Sequence, residues 1–167
     1  MINFKSTLNK LLLVFMLLAA SRFIPHPPNF TNAIALSFFA PIVFGIKFVP
    51  LVFFAFVITD LVIGFHSGIF FTWSAILVIS LISKKFSENL KRRSTGLIIS
   101  LLIFFILTNF GVWLTGQYEY SLDGLIVCYT LALPFFGNTI ISTIVYSVVI
   151  ELIIYRYFYQ NKKVKIN

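Results

Sequence analysis

The sequence predicts an all-α integral membrane protein: a bundle of six transmembrane helices, with a short re-entrant or surface-lying helix before the last. Three observations predict it. Hydrophobic residues make up 59% of the 167 residues and charged residues only 11%, against about a quarter charged in soluble domains. Several apolar runs approach the roughly 20 residues that a helix needs to cross a bilayer. The basic residues fall on one side when those runs alternate in direction. A soluble core is a poor alternative, because too few polar residues remain to cover its surface.

The whole chain, 1–167, reads as one transmembrane domain, with spans at 8–24, 33–46, 49–65, 69–83, 95–114 and 138–158. Lys5, Lys10, the run "LLLVFMLL" and then "AAS" resemble a secretory signal with a cleavage site. The five further spans make this stretch the first membrane helix instead. "PHPPNF" (25–30) ends it, because proline lacks the amide donor that a continuing helix needs. "GIKFVP" (45–50) separates the second span from the third, "GFHSG" (64–68) turns the third into the fourth, and "KKFSENLKRR" (84–93) follows the fourth. The second span carries Ala33, Ser37, Pro41 and Gly45 at four-residue intervals, a stripe suited to close helix packing within the bundle.

The segment "LDGLIVCYTLALPFF" (122–136) is short for a span and ends in the helix breakers Pro134 and Gly137. A seventh span here would place the lysine-rich tail outside. It is therefore expected as a short outer-side helix over 122–134, packed on the others, since irregular backbone at membrane depth must be covered by protein or a wet cavity.

The positive-inside rule orients the bundle. With the N-terminus in the cytoplasm, twelve of the thirteen basic residues lie on or near the inner side; only Arg22 lies outward. That bias accounts for the net charge of +8 without nucleic acid. Both termini are expected in the cytoplasm. Cys128 is the single cysteine, which excludes an internal disulfide and has no neighbours at metal-ligand spacing. No metal or cofactor is expected.

The scarce polar residues converge on one depth. Arg22 and His26 lie at the outer end of the first span, with Asn29 and Asn32 in the loop after it. Asp60 lies in the outer half of the third span and His66 at its end. Asn109 and Trp113 lie at the outer end of the fifth, followed by Gln117, Tyr118, Glu119 and Asp123; Asn138 opens the sixth. Each has a plain reading. Trp113, Tyr118 and Tyr120 suit an interfacial aromatic belt, Glu119 and Asp123 suit loop acids, and Asn138 and Asp123 suit helix caps. Arg22 and Asp60 resist such a reading, since either charge costs about 2.5–3.5 kcal/mol at a helix centre. Pairing of the two is the simplest solution. Glu151, in the inner half of the last span, has no evident partner, because Arg156 is five residues away and off its helix face.

Signatures of catalysis are largely missing. Ser67 in "GFHSG" lacks the glycine that a nucleophile elbow needs two positions before it. There is no HExxH and no glycine-rich phosphate loop. An enzyme is not expected.

"SRFIPHPPNFTNAIAL", "ITDLVIGFH", "TNFGVWL" and "LPFFGNT" together resemble a family of small, uncharacterised bacterial membrane proteins regarded as transport proteins. That family is similar to the substrate-binding S components of energy-coupling factor (ECF) vitamin transporters. The resemblance covers roughly 15–155. It implies six helices in a bacterial inner (cytoplasmic) membrane, with a ligand pocket opening outward beneath the loop after the first helix. Asp60 and Gly64 match the acidic residue and glycine at the outer end of the third helix in S components. One departure matters: the first helix has Ala19, Ala20 and Ser21 in place of an Ala-xxx-Ala docking patch, which argues against docking to a shared energy-coupling module.

The expected function is thus uptake of a small polar or aromatic, vitamin-like molecule. The expected site is Arg22, His26, Asn29, Asp60, His66, Asn109, Trp113, Tyr118 and Asn138. The stretch 108–124 would form one wall and part of a lid, and "IPHPPNF" the opposite wall. A structural or assembly protein is the first rival, and would show these residues in contact with no void. An intramembrane enzyme is the second, and would need an acid or base beside a nucleophile.

Overall fold

A computed structural model describes residues 7–163, with side chains for Asn9 and 12–156. The expected cytoplasmic placement of Lys5, Lys10, Lys162, Lys163 and Lys165 therefore falls on side chains outside the described residues. Six helices follow one another: α1 (Thr7–Phe23), α2 (Ala33–Phe44), α3 (Val49–Ile63), α4 (Ile69–Ile82), α5 (Leu90–Val112) and α6 (Leu122–Lys163). Short 3-10 turns at Ile46–Phe48 and Ser83–Phe86 and a π turn at Trp113–Gln117 join or extend them. Among the described residues there is no strand.

Local chemistry sets the boundaries. Gly45 (φ 101°) and Gly64 (φ 116°) end α2 and α3 in left-handed backbone, where a Cβ would be strained. Pro50 sits in the first turn of α3, where its missing amide costs nothing. Asn89 starts α5 by accepting the amide of Arg92 through its side-chain oxygen at 2.9 Å.

Four helical stretches are long and apolar enough to cross a membrane: Ile46–Ile63, Ile69–Phe86, Leu90–Gln117 and Leu122–Arg156. The apolar parts of the first two helices, Leu12–Phe23 and Ala33–Phe44, are shorter. Large apolar side chains such as Met16, Phe54, Val62, Phe70, Ile106 and Leu152 stand exposed around the bundle. Apolar surface on that scale suits lipid and not water. The chain is a membrane protein.

α2 is the hub. Its twelve residues span about 18 Å, and residues 33–41 are all buried. It packs against α1, α3, α4, α5 and α6. The small stripe of Ala33, Ser37 and Pro41 is turned into this packing, as close helix approach requires. Phe38 and Phe39 from the same helix join Ile79 of α4 and Leu101 of α5 in one core cluster.

The segment 122–136 departs from expectation. It is not a separate short helix but the first part of α6, which runs for 42 residues. That is about 63 Å, well beyond the roughly 30 Å of a hydrocarbon core. The first part lies antiparallel along α5. The Tyr129 hydroxyl donates to the Ile106 carbonyl at 2.7 Å, and Phe136 stacks on Phe105 with centroids 4.3 Å apart. Pro134 was expected to stop the helix and does not. It removes one amide donor, a loss that packed membrane helices tolerate. Asn138 consequently lies inside a helix and opens none.

Candidate functional site

Arg22 stands in the last turn of α1, whose exit is pinned. The buried Ser21 hydroxyl donates to the Asn32 side-chain oxygen at 2.7 Å, and the Asn32 amide donates to the Leu17 carbonyl at 2.8 Å. These bonds fold the "PHPPNF" loop back over the end of the helix. Asn138 adds a second tie, donating to the Pro28 carbonyl at 3.0 Å.

Arg22 then crosses to α3. It forms an ion pair with Asp60 and donates to the Thr59 hydroxyl at 2.9 Å. Its guanidinium carbon lies 4.1 Å from the centre of the Phe56 ring, a cation–π contact. Asp60 is 1% exposed, and its second oxygen accepts the Trp73 indole N–H at 2.6 Å. The carboxylate is thus satisfied from α1 and α4 at once, as a buried charge must be. The expected Arg22–Asp60 pair is present; Trp73, across the 64–68 turn, is a partner that the sequence did not reveal.

Beside this pair lies a cavity of about 400 Å³. The ends of α1, α3 and α5 and the starts of α2 and α4 surround it, with α6 passing on one side. Arg22, His26, Asn29, His66 and Asn109 all line it. Thr31, Thr72, Thr108 and Thr139 add hydroxyls, and Ile34, Phe56, Ile63, Phe104 and Val112 supply the apolar wall. A smaller void of about 90 Å³ adjoins it, sharing Asn29, Phe104, Thr108, Asn109 and Thr139. The size and mixed lining fall in the range of small-molecule sites.

Several lining groups have fixed polarity. Thr108 and Thr139 donate their hydroxyl protons to the carbonyls of Phe104 and Phe135, at 2.8 and 3.0 Å. Asn109 donates its side-chain amide to the Phe105 carbonyl at 2.8 Å. The two threonines are left with acceptor lone pairs only, whereas Asn109 keeps its oxygen and a second amide proton for any further bond. His26 Nδ1 lies 2.8 Å from the Pro27 carbonyl. A carbonyl can only accept, so Nδ1 donates and Nε2 is the nitrogen left for another partner.

The remaining expected residues lie elsewhere. Asp60 sits behind the wall. Trp113 donates its indole N–H to the Glu119 carbonyl at 3.0 Å and packs edge-on against Tyr120. Neither Trp113 nor Tyr118 lines the cavity. Trp113 keeps helical backbone, but its ring packs on Phe110 and Tyr120 and not on the wall; the chain departs from the helix only at Gly116, at φ 77°. Asn138 positions the loop from outside. Of the stretch 108–124, only Thr108, Asn109 and Val112 form wall; Gln117 reaches Ser67 at 3.4 Å across the rim.

At the opposite end, Glu151 accepts two bonds from Arg93, at 2.5 and 2.9 Å. Arg93 also donates to the Ser87 carbonyl at 3.1 Å. Among the described residues no group of three His, Cys, Asp or Glu side chains could hold a metal ion.

Neither a curated protein nor a solved structure matches the chain. One family model does, over residues 3–163, and with nearly the whole length matched the chain belongs to the family of unknown function DUF6580.

Proposed function

We propose that this protein is a transport component that takes up a small molecule through the cavity beside Arg22, in the manner of the ECF S components that its sequence resembles. The carrying observation is the void itself. Five of the nine expected residues surround about 400 Å³ of space instead of touching one another. A protein that used these groups only to hold loops together would close them into contact. In this reading all six helices cross a bacterial inner membrane, with α1 and α2 spanning inside the bundle. The cavity opens outward, and the 84–93 loop and both termini are cytoplasmic.

Native mass spectrometry of the purified protein tests the proposal. A small molecule is expected to co-purify, and filling the cavity with Thr108→Trp is expected to remove it. A bound mass that persists in the filled variant, or no bound mass after incubation with a whole small-molecule cell extract, would overturn the uptake reading. Orientation has its own test: a cysteine at position 88, in a Cys128→Ser background, should resist an impermeant thiol reagent in intact cells.

A further inference from the structure

Arg22 is oriented more firmly than pairing alone demands. Thr59, Asp60 and the Phe56 carbonyl at 3.5 Å take bonds from its two terminal nitrogens, and the Phe56 ring covers one face. A guanidinium has five N–H groups, and those bonds use three. The Nε proton and one terminal proton have no acceptor among the described residues, while the side chain forms part of the cavity wall. A side chain already held in one rotamer loses little entropy when a ligand takes the remaining donors.

No carboxylate stands opposite. Asp60 does not line the cavity and is committed to Arg22 and Trp73. No other acid lines it either. The charged group presented to a ligand is thus a cation, and its interaction strengthens as the cavity excludes water. The far wall differs. Thr108 and Thr139 have spent their only protons on backbone carbonyls and offer acceptors, and Asn109 adds its side-chain oxygen beside one remaining amide proton.

We infer that the cavity takes a small organic carboxylate whose charge meets Arg22 and whose uncharged hydroxyl or amide N–H groups meet the α5–α6 wall. This rests on the uptake reading above. The body of the ligand lies between Phe56 and Phe104. Ammonium compounds are disfavoured, because no lining acid balances their charge.

The test divides a small-molecule cell extract on an anion exchanger into an anionic fraction and a neutral-plus-cationic fraction. Each is incubated with the detergent-purified protein, and retained masses are read by native mass spectrometry. Retention from the anionic fraction alone is expected, and it should vanish once that fraction is methyl-esterified. Arg22→Lys should weaken retention at least about tenfold, the loss of roughly one good charge-assisted bond. Arg22→Gln/Asp60→Asn, which leaves no lone charge, should abolish it. Thermal unfolding checks that each variant is folded; were both to misfold, the esterification result alone decides. Ligand retained only from the neutral-plus-cationic fraction, or surviving esterification, would overturn this inference and leave the uptake reading standing. Nothing retained from either fraction would overturn both.

Discussion

Two arginine–carboxylate pairs lie at opposite ends of the bundle, and they are built differently. Arg93 and Glu151 form a closed clasp: two parallel bonds between α5 and α6, with 15% and 19% of the side chains exposed. Arg22 and Asp60 form an open one. Asp60 is buried and doubly bonded, and Arg22 has donors to spare beside a cavity. Beyond its two members the clasp adds only the Ser87 carbonyl, which accepts from Arg93 at 3.1 Å. The open pair recruits Thr59, Phe56 and Trp73 merely to hold one guanidinium in place. In the proposed uptake reading, that surplus of support beside a void prepares a site for a third group.

Breaking the open pair should have the largest effect. Asp60→Ala leaves Arg22 charged in a space built for two charges, at a cost of about 3–5 kcal/mol. Removing both partners should cost less than the sum of the single losses. Thermal unfolding in detergent of Arg22→Ala, Asp60→Ala and the double variant checks this. Strict additivity would mean that the two charges do not sustain one another.

The closed clasp should matter less. Arg93→Gln removes the bidentate bonds, but Glu151 retains some access to its surroundings. The cost should be about 1.5–3 kcal/mol, that of hydrogen bonds to a charged group. Ligand retention should not change. A variant that stays folded yet loses its ligand would erase the functional distinction between the two ends.

The closed end can also be broken through packing. A Cβ on Gly96 would meet Phe86 and Phe38 ring carbons at 2.6 and 2.7 Å. Gly96→Ala should therefore force two rings aside, for about 1–3 kcal/mol. Gly137, with nothing within 4 Å of its Cβ position, is the control and should accept alanine without penalty. Equal melting temperatures for the two variants would mean that the close approach at Gly96 is not sustained.

How much of this was legible follows from what each signal encodes. The depth of polar residues along apolar spans brought out Arg22, His26, Asn29, His66 and Asn109, because an ionisable or amide group in a membrane needs a reason. The Arg22–Asp60 pair was legible for the same cause. Trp73 was not, since an indole in an apolar run is unremarkable until its N–H finds a carboxylate. Thr108 and Thr139 were hidden because they satisfy their own backbone four residues back and so suit any membrane helix. Glu151 lacked a partner because Arg93 is 58 positions away and only the antiparallel packing of α5 on α6 joins them. Pro134 was read too strongly: it deletes one donor, and the packing of α6 along α5 outweighs that loss.

The smallest effect separates the two tryptophans. Helical spacing put Trp113 and Asn109 on one face, and the backbone keeps that spacing, with the Trp113 amide donating to the Asn109 carbonyl. It is the side chain that leaves the wall: the ring packs on Phe110 and Tyr120, and the N–H donates to the Glu119 carbonyl. That bond sits at the rim, where water can replace it. Trp113→Phe should cost at most about 0.5–1 kcal/mol and change ligand retention by no more than roughly twofold, as for a surface substitution. Trp73→Phe removes the donor to a buried carboxylate and should cost more, about 1–3 kcal/mol. Fluorescence sharpens the contrast. With Trp73 as the only tryptophan, emission should respond when the cavity fills, because its indole is bonded to the same carboxylate as Arg22. With Trp113 as the only tryptophan, the response should be weak. The opposite ranking would return Trp113 to the site and place the binding surface at the rim instead of beside Arg22.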